Sequence, residues 1–389
     1  MITRNSKKMI STILSLMMLI SIIGTGCGAQ ATPATVAPAP ATVAPAPATA
    51  APATVAPAPA TAAPAPATAA PATAAPTVPG KTYVIGLSNF SLANSWRVQM
   101  VAEAEYAAKQ NPQVLQLLVT QADDSVEKQI ADMDDLITRK VNAILVTAIN
   151  PDALVPEIDK AMAAGIVVVD FDNLAKTDNI TANIVVDQKQ FGSTQATWLV
   201  KAMGGKGDII AFNGINGTQI SADRFAGAKS VFDQNPGIKI VDTVYAAWDY
   251  AQAKTAMESL ITTYPNIGGV WSQGGAMSQA VIDTFVEAGK PVPPVTGEDG
   301  NGFLKTWKKL YDSQKYDSIA TSMPTWVSAQ ALDVALKALN GQPFDKNTVI
   351  PIPTITAATL NQYVRPNLSD SFWCNSHLPD AVVEELFPK

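Results

Sequence analysis

From Lys81 onward the hydrophobic residues of this 389-residue chain fall into two alternating patterns. Short apolar runs rich in Val and Ile, the composition of strands buried on both faces, alternate with segments whose apolar residues recur every three or four positions, as on one helix face. The first run, Lys81–Leu87 (KTYVIGL), predicts a strand, and Val98–Gln110 a helix. Strand Val114–Val119, helix Ser125–Arg139, strand Ala143–Thr147, helix Pro151–Ala164 and strand Ile166–Phe171 follow. Strand Ile180–Val186 then crosses into a second run: helix Gln190–Met203, strand Asp208–Phe212, helix Ile220–Gln234, strand Lys239–Val244 and helix Tyr250–Tyr264. Strand Gly268–Trp271, helix Met277–Ala288, strand Pro293–Thr296, helix Gly302–Ser313, strand Ser318–Thr321 and helix Thr325–Leu339 complete it. The stretch Pro366–Lys389 has no such period and is expected to wrap the surface irregularly. Strict β/α alternation predicts parallel sheets covered by helices. About 300 residues of it exceed one core, so the expected fold is α/β with two doubly wound parallel-sheet domains.

The chain ahead of Lys81 is different in kind. Arg4, Lys7 and Lys8 precede an apolar run, Met9–Ile23, that ends at Gly24-Thr25-Gly26-Cys27. The run is too short and wrongly flanked for a transmembrane helix and reads as an export signal. Small residues just before a Cys resemble a bacterial lipoprotein signal, although Gly24 stands where a Leu is usual. That resemblance makes Cys27 the lipidated residue and residues 1–27 the signal; an ordinary cleaved signal with an incidental Cys is the alternative. Residues 28–80 are nearly all Ala, Pro, Thr and Val in imperfect repeats. Frequent Pro blocks both helix interior and sheet ladder, so the segment is expected to be a disordered tether. Extended at about 3.1 Å per residue, it could reach more than about 100 Å from the membrane.

Charge and scarce residue types exclude several functions. A net charge of −6, with the leader's three bases offset by no acid, argues against nucleic-acid binding. One histidine rules out multi-histidine metal sites and speaks against a Ser-His-Asp triad. Cys27 and Cys374 provide no disulfide framework, and Cys374 with His377 lacks the further ligands a metal needs. No metal and no cofactor are expected. Gly204–Gly207 lacks the Lys-Ser/Thr ending of a phosphate loop and reads as a turn, while Asp123-Asp124 reads as the N-terminus of the next helix.

Open parallel sheets bind ligands at the carboxyl ends of their strands. The residues found there are Ser88 to Arg97 after the first strand, and Asp172-Asn173 after the fourth. In the second half Arg224, Trp248, Gln273, Asp299 and Ser322 occupy the equivalent positions. Each has an ordinary explanation. Asn94 or Ser95 can cap a helix, as can Asp172 and Asp299; Arg224 can form a surface ion pair, and Trp248 can be local core. Together, two carboxylates (Asp172, Asp299), two guanidiniums (Arg97, Arg224) and two indoles (Trp96, Trp248) suit a neutral polyhydroxylated ligand. Charged groups bond vicinal hydroxyls and indole faces cover the C–H face of a sugar ring.

These residues resemble those of periplasmic sugar-binding proteins of the ribose and galactofuranose type, over about Lys81 to Leu360. Asn94, Trp96 and Arg97 are similar to the first loop of the galactofuranose type. Asp172 matches the sugar-binding aspartate, Arg224 and Gly227 the Arg-x-x-Gly motif, Trp248 the stacking aromatic, and Asp299 the aspartate of the Phe-Asp-Gly motif. Asn173 stands where an arginine is usual, and Gly274-Gly275 where Asn-Asp is usual. The resemblance implies a type I periplasmic binding protein with a three-crossover hinge. The crossovers then fall near Val186-Asp187, Ser322-Met323 and Ile350–Ile352, giving lobes 81–186 plus 323–351 and 187–322 plus 352–389.

The implied function is a non-enzymatic, monomeric solute-binding protein on the extracytoplasmic side, held to the membrane by lipid only. It would deliver a monosaccharide to an ABC permease by closing its lobes on the ligand, with Ser88, Asn94, Trp96, Arg97, Asp172, Asn173, Arg224, Trp248, Gln273, Asp299 and Ser322 as contacts. The glycines at 274 and 275 and the short Asn173 are expected to leave a roomier pocket that favours a hexose or substituted sugar over ribose. The rivals are a sugar receptor for a chemotaxis or kinase sensor, and a glycosidase using Asp172 and Asp299.

Overall fold

The computed structural model describes residues 80–388; the signal, Cys27 and nearly all of the tether lie outside them. The first half contains β1 (Tyr83–Asn89), α1 (Ser95–Gln110), β2 (Val114–Gln121), α2 (Val126–Thr138), β3 (Ala143–Val146), α3 (Val155–Ala163), β4 (Val167–Phe171) and β5 (Ala182–Val186). The second half begins with α4 (Gln188–Ala202), β6 (Gly207–Asn213), α5 (Gln219–Asp233), β7 (Ile238–Tyr245) and α6 (Tyr250–Thr263). It continues through β8 (Ile267–Ser272), α7 (Gly275–Glu287), β9 (Thr296–Glu298), α8 (Asn301–Gln314) and β10 (Ile319–Thr321). Helix α9 (Val327–Leu339), β11 (Asn347–Ile350), β12 (Thr354–Ile355), α10 (Leu360–Tyr363) and α11 (Asp380–Leu386) complete the chain.

Five of these strands and β11 form one parallel sheet in the order β11-β5-β4-β3-β1-β2. Apolar residues alternate to both faces of its inner strands. Leu87, Leu145 and Val169 meet α1 and α9 on one side, while Ile144, Val146 and Val168 meet α2 and α3 on the other. The second sheet is assembled from β7-β6-β8 and β9-β10-β12, joined by a parallel bridge between Val270 and Val295. Ile209, Ala211 and Trp271 pack under α4 and α5, and Ile210, Phe212 and Val270 under α6, α7 and α8. The chain passes between the sheets after β5, after β10 and between β11 and β12, so the α/β architecture is two doubly wound lobes with three crossovers.

Helix starts follow local chemistry. The Asn94, Ser125, Asp187 and Asp249 side chains each accept from a backbone N–H three residues on, capping α1, α2, α4 and α6. Asp123 and Asp124 form a left-handed turn one residue short of the Ser125 cap, and Gly204, Gly205 and Gly207 have positive φ in the turn before β6. Three expectations need correcting. The α3 helix starts at Val155 with Pro156 in its first turn, because residues 151–154 form a turn held by Asn150. The strand expected at Pro293–Thr296 begins at Thr296, since Pro293 and Pro294 lack the N–H a ladder needs. The C-terminal stretch does not simply lie over the surface: Phe372, Trp373, Cys374 and Leu378 are buried, and Val383 is buried within α11.

Candidate functional site

In the first lobe the capped start of α1 carries Trp96 and Arg97 inward, and both are buried. Arg97 Nη2 donates to Asp172 Oδ2 at 2.6 Å and Nη1 to Asn89 Oδ1 at 3.3 Å. Its guanidinium lies 3.7 Å from the centroid of the Phe90 ring. Thr147 Oγ1 and Asn173 Nδ2 also donate to Asp172, at 3.1 and 3.4 Å. Burial lowers the Arg97 pKa, and the facing Asp172 carboxylate opposes that shift. Asp172 itself has φ of 63°, a left-handed conformation a non-glycine residue adopts only under constraint, here at the carboxyl end of β4.

The second lobe repeats the device. Arg224 on α5 lies over the Phe191 ring at 3.7 Å and donates to Glu298 Oε1 (3.1 Å), the Gln273 carbonyl (2.9 Å) and Gln188 Oε1 (2.8 Å). Two glycines bring α5 close enough to α4 for this. A Cβ on Gly227 would stand 2.0 Å from the Lys189 carbonyl oxygen, and one on Gly192 1.8 Å from that of Arg224. Glu298 is buried, which raises its pKa against the pull of Arg224. Asp299 beside it is pushed to about 7, by burial first and by the Glu298 charge second.

Trp248 and Ala247 are both left-handed, with φ of 57° and 53°, after β7. The indole lies in a bed of two glycines: a Cβ on Gly214 would meet its six-membered ring at 2.1 Å and one on Gly274 its five-membered ring at 2.5 Å. The side chains missing at 274 and 275 therefore do not enlarge a ligand pocket. Trp248 occupies the room at Gly274, and the Glu298–Gly300 backbone crowds Gly275. Gly274→Asn should accordingly cost several kcal/mol in urea unfolding by displacing Trp248, as overpacked sites do, rather than trimming ligand volume alone. A variant as stable as the parent would refute this packing.

Each of the eleven expected residues has a defined place. Arg97, Asp172 and Asn173 form one buried group, and Arg224 and Gln273 another. Trp96 Nε1 donates to the Met323 carbonyl (3.0 Å), tying α1 to the crossover after β10. Ser88 Oγ accepts from Gln129 Nε2 at 3.2 Å, and the Asn94 oxygen caps α1, so these two have structural partners. Gln273 Nε2 donates to Asn213 Oδ1 at 2.8 Å. Asp299 Oδ2 accepts from the Asn375 N–H at 2.7 Å. Residues not expected are Phe90 and Phe191 beneath the arginines, Glu298 as the partner of Arg224, Asn213 at the end of β6, and the tail residue Asn375. Phe90 sat in the stretch Ser88 to Arg97 and Glu298 directly precedes Asp299; nothing local marks Phe191 or Asn375, which arrive from remote sequence.

Among the described residues, five consecutive strand ends of the second sheet each carry a buried polar atom with no protein partner. They are Asn213 Nδ2 at the end of β6, Trp248 Nε1 after β7, Gln273 Oε1 after β8, Asp299 Oδ1 after β9 and Ser322 Oγ after β10, the last hydroxyl lying close enough to the Asp299 carboxylate to lower its pKa. Buried polar atoms in native proteins are nearly always bonded, so these strand-end atoms have bonding capacity left for a ligand or an ordered water.

Two doubly wound lobes joined by three crossovers, with a polar row at the strand ends of the second sheet, are the architecture of a solute-binding protein. The chain belongs to the family of periplasmic binding protein domains, which it matches over residues 85–343. It is 25% identical over 272 residues to the ribose import binding protein of Bacillus subtilis, covering 70% of this chain and 87% of that one. It is 30% identical over 207 residues to the D-apiose import binding protein of Actinobacillus succinogenes, covering 52% and 66%. Among solved structures, an ABC transporter solute binding protein of Thermobispora bispora matches with TM-score 0.69 and 26% identity, over 78% of this chain and 94% of that one. A periplasmic solute binding protein of Actinobacillus succinogenes with bound D-allose matches with TM-score 0.63 and 26% identity, over 72% and 100%. No helix of the described residues is long and apolar enough to cross a membrane.

Proposed function

We propose that the chain is the solute-binding component of an ABC importer, capturing a neutral monosaccharide between its lobes. The row of orphaned atoms at the five strand ends carries this reading. Asn213 Nδ2 and Trp248 Nε1 can only donate, Gln273 Oε1 and an ionised Asp299 Oδ1 only accept, and the Ser322 hydroxyl does both. Sugar hydroxyls, each donor and acceptor at once, match such a mixed set. A carboxylate or phosphate ligand would instead meet Asp172, Glu298 and Asp299. The import proteins named above, at 25–30% identity, support delivery to a permease over presentation to a sensor. Ligand contacts are drawn from Arg97, Asp172, Asn173, Arg224, Trp248, Gln273, Asp299 and Ser322, with lobes 81–186 plus 323–351 and 187–322 plus 352–389. With the room at Gly274 filled by Trp248, a preference for a hexose or substituted sugar over ribose rests on the short Asn173 alone.

A calorimetric panel of pentoses, hexoses and deoxy-sugars, alongside charged solutes, tests the class. At least one neutral sugar should bind, and Asp172→Ala should weaken it by about 2–4 kcal/mol, since charge-assisted bonds to hydroxyls are lost. Binding confined to charged solutes would overturn the reading.

We further propose that a lipid on Cys27 holds the protein to the extracytoplasmic face of the membrane, with residues 28–80 as tether. Cys27→Ser should convert a membrane-bound protein into a soluble exported one. Fractionation that is identical for both forms, with no lipid mass on the parent, would refute the anchor.

A further inference from the structure

Beyond the matched residues 85–343, the C-terminal tail runs past the site and is held from two sides. Its apolar side chains Leu368, Phe372, Cys374, Leu378 and Val383 belong to the second lobe's core, together with Phe303, Leu304 and Trp307. Its backbone is bonded to the same lobe. Phe372 accepts from the Asn301 N–H (2.7 Å), Cys374 N–H donates to the Asp299 carbonyl (3.1 Å), and Asn375 N–H donates to the Asp299 carboxylate (2.7 Å).

Toward the first lobe the contacts are of another kind. The Gln99 amide brackets Trp373, accepting its N–H at 2.9 Å and donating to its carbonyl at 3.0 Å. Trp373 Nε1 donates to Ser95 Oγ at 2.9 Å, and the indole packs in the first lobe's core. Glu103, buried on α1 and in no ion pair among the described residues, accepts from Ser376 Oγ (2.7 Å) and the His377 N–H (2.9 Å). Trp326, just ahead of α9, donates to Asn375 Oδ1 (3.1 Å) and stacks on His377 at 4.8 Å.

The geometry points to residues 372–377 as a clasp belonging to the binding machinery: fixed to the second lobe, it positions Asp299 through the Asn375 amide and takes hold of α1 as the lobes close. The asymmetry of the contacts gives the direction of travel. Withdrawing five apolar side chains from the second core would expose them all to water. The bonds to Gln99, Glu103 and Ser95 exchange for water at small net cost, with one indole as the latch. The proposal rests on sugar capture by lobe closure, and it makes Gln99 and Glu103 positioning residues that act through the tail.

Hydrogen exchange on the full chain, with and without the best-binding sugar of the panel, reads the clasp amide by amide. The Trp373 and His377 N–H groups, whose acceptors are on α1, should exchange at least about tenfold more slowly with sugar, as closure protects them. Those of Cys374 and Asn375, whose acceptor is Asp299, should change little. Four amides responding alike, or none responding, would overturn the proposal. A sugar-free test stands apart from the ligand assignment: Gln99→Met keeps the side-chain volume and removes both bonds to Trp373. It should raise the radius of gyration in small-angle scattering while leaving the circular dichroism unchanged. Equal radii for parent and variant would refute the clasp even if a sugar binds, and a larger radius would support it even if no sugar of the panel binds. Should Gln99→Met fail to fold, Ser376→Ala takes its place, with the same two outcomes.

Discussion

Arg224→Ala is expected to destabilise the protein by about 3–5 kcal/mol in urea unfolding and to abolish measurable sugar binding. Removing one partner of a buried pair leaves the other charge uncompensated, and that penalty exceeds the worth of the bond itself. Here the stranded group is Glu298, whose Arg224 contact of 3.1 Å is its ion pair in a fully buried setting. The Gln273 carbonyl and Gln188 Oε1 lose donors at the same time. The sequence allowed Arg224 a surface ion pair, and its burial overturns that reading. The double variant Arg224→Met with Glu298→Gln separates the two roles: stability should largely return, because no charge remains buried, while binding should not. A single variant within about 1 kcal/mol of the parent would show that the pair contributes little.

Stability should fall as pH rises from about 4 to about 7 and then level off, with Asp299 as a principal cause. Its folded pKa, raised to about 7 by burial and the neighbouring Glu298, lies above the usual aspartate value near 4. Between those values the unfolded chain gives up the proton while the folded protein keeps it, so unfolding becomes easier with each step in pH. Above about 7 both states are ionised and the contribution is constant. Three units correspond to roughly 4 kcal/mol as an upper figure. Burial also raises Asp170, Glu298 and Glu103, so all four carboxyl groups act in the same direction. Urea unfolding at a series of pH values should show Asp299→Asn with a visibly shallower slope. An unchanged slope would mean that Asp299 ionises freely in the folded protein.

Much of the fold was legible along the chain because each unit declares itself locally. The apolar runs at Tyr83–Leu87 and Val167–Phe171 have the composition of buried strands, and Asn94 stands where the helix cap was expected. The strand-end residues were legible too, since the β/α alternation states which loops share an edge: Arg97, Asp172, Arg224, Gln273 and Ser322 all arrive there buried. β11 and β12 escaped notice because they lie beyond the last helix of the β/α alternation, in a short stretch interrupted by Pro351 and Pro353, and they are held by pairing with β5 and β10.

What the tertiary structure decided is which partner each polar group takes. Of two adjacent acids, Glu298 pairs with Arg224 and Asp299 turns to the tail, a choice made by side-chain direction at one strand end. The same holds for Gly274, whose empty space looked like ligand room until Trp248, 26 residues earlier in sequence, was seen to fill it. The tail offers no periodic signal, yet Trp373 and Asn375 reach α1 and Asp299 across more than seventy residues of chain. Periodicity and capping are local and can be read in order. Ion pairing, packing against glycine and closure by a distant segment depend on which surfaces meet, and that is settled only when the whole chain has folded.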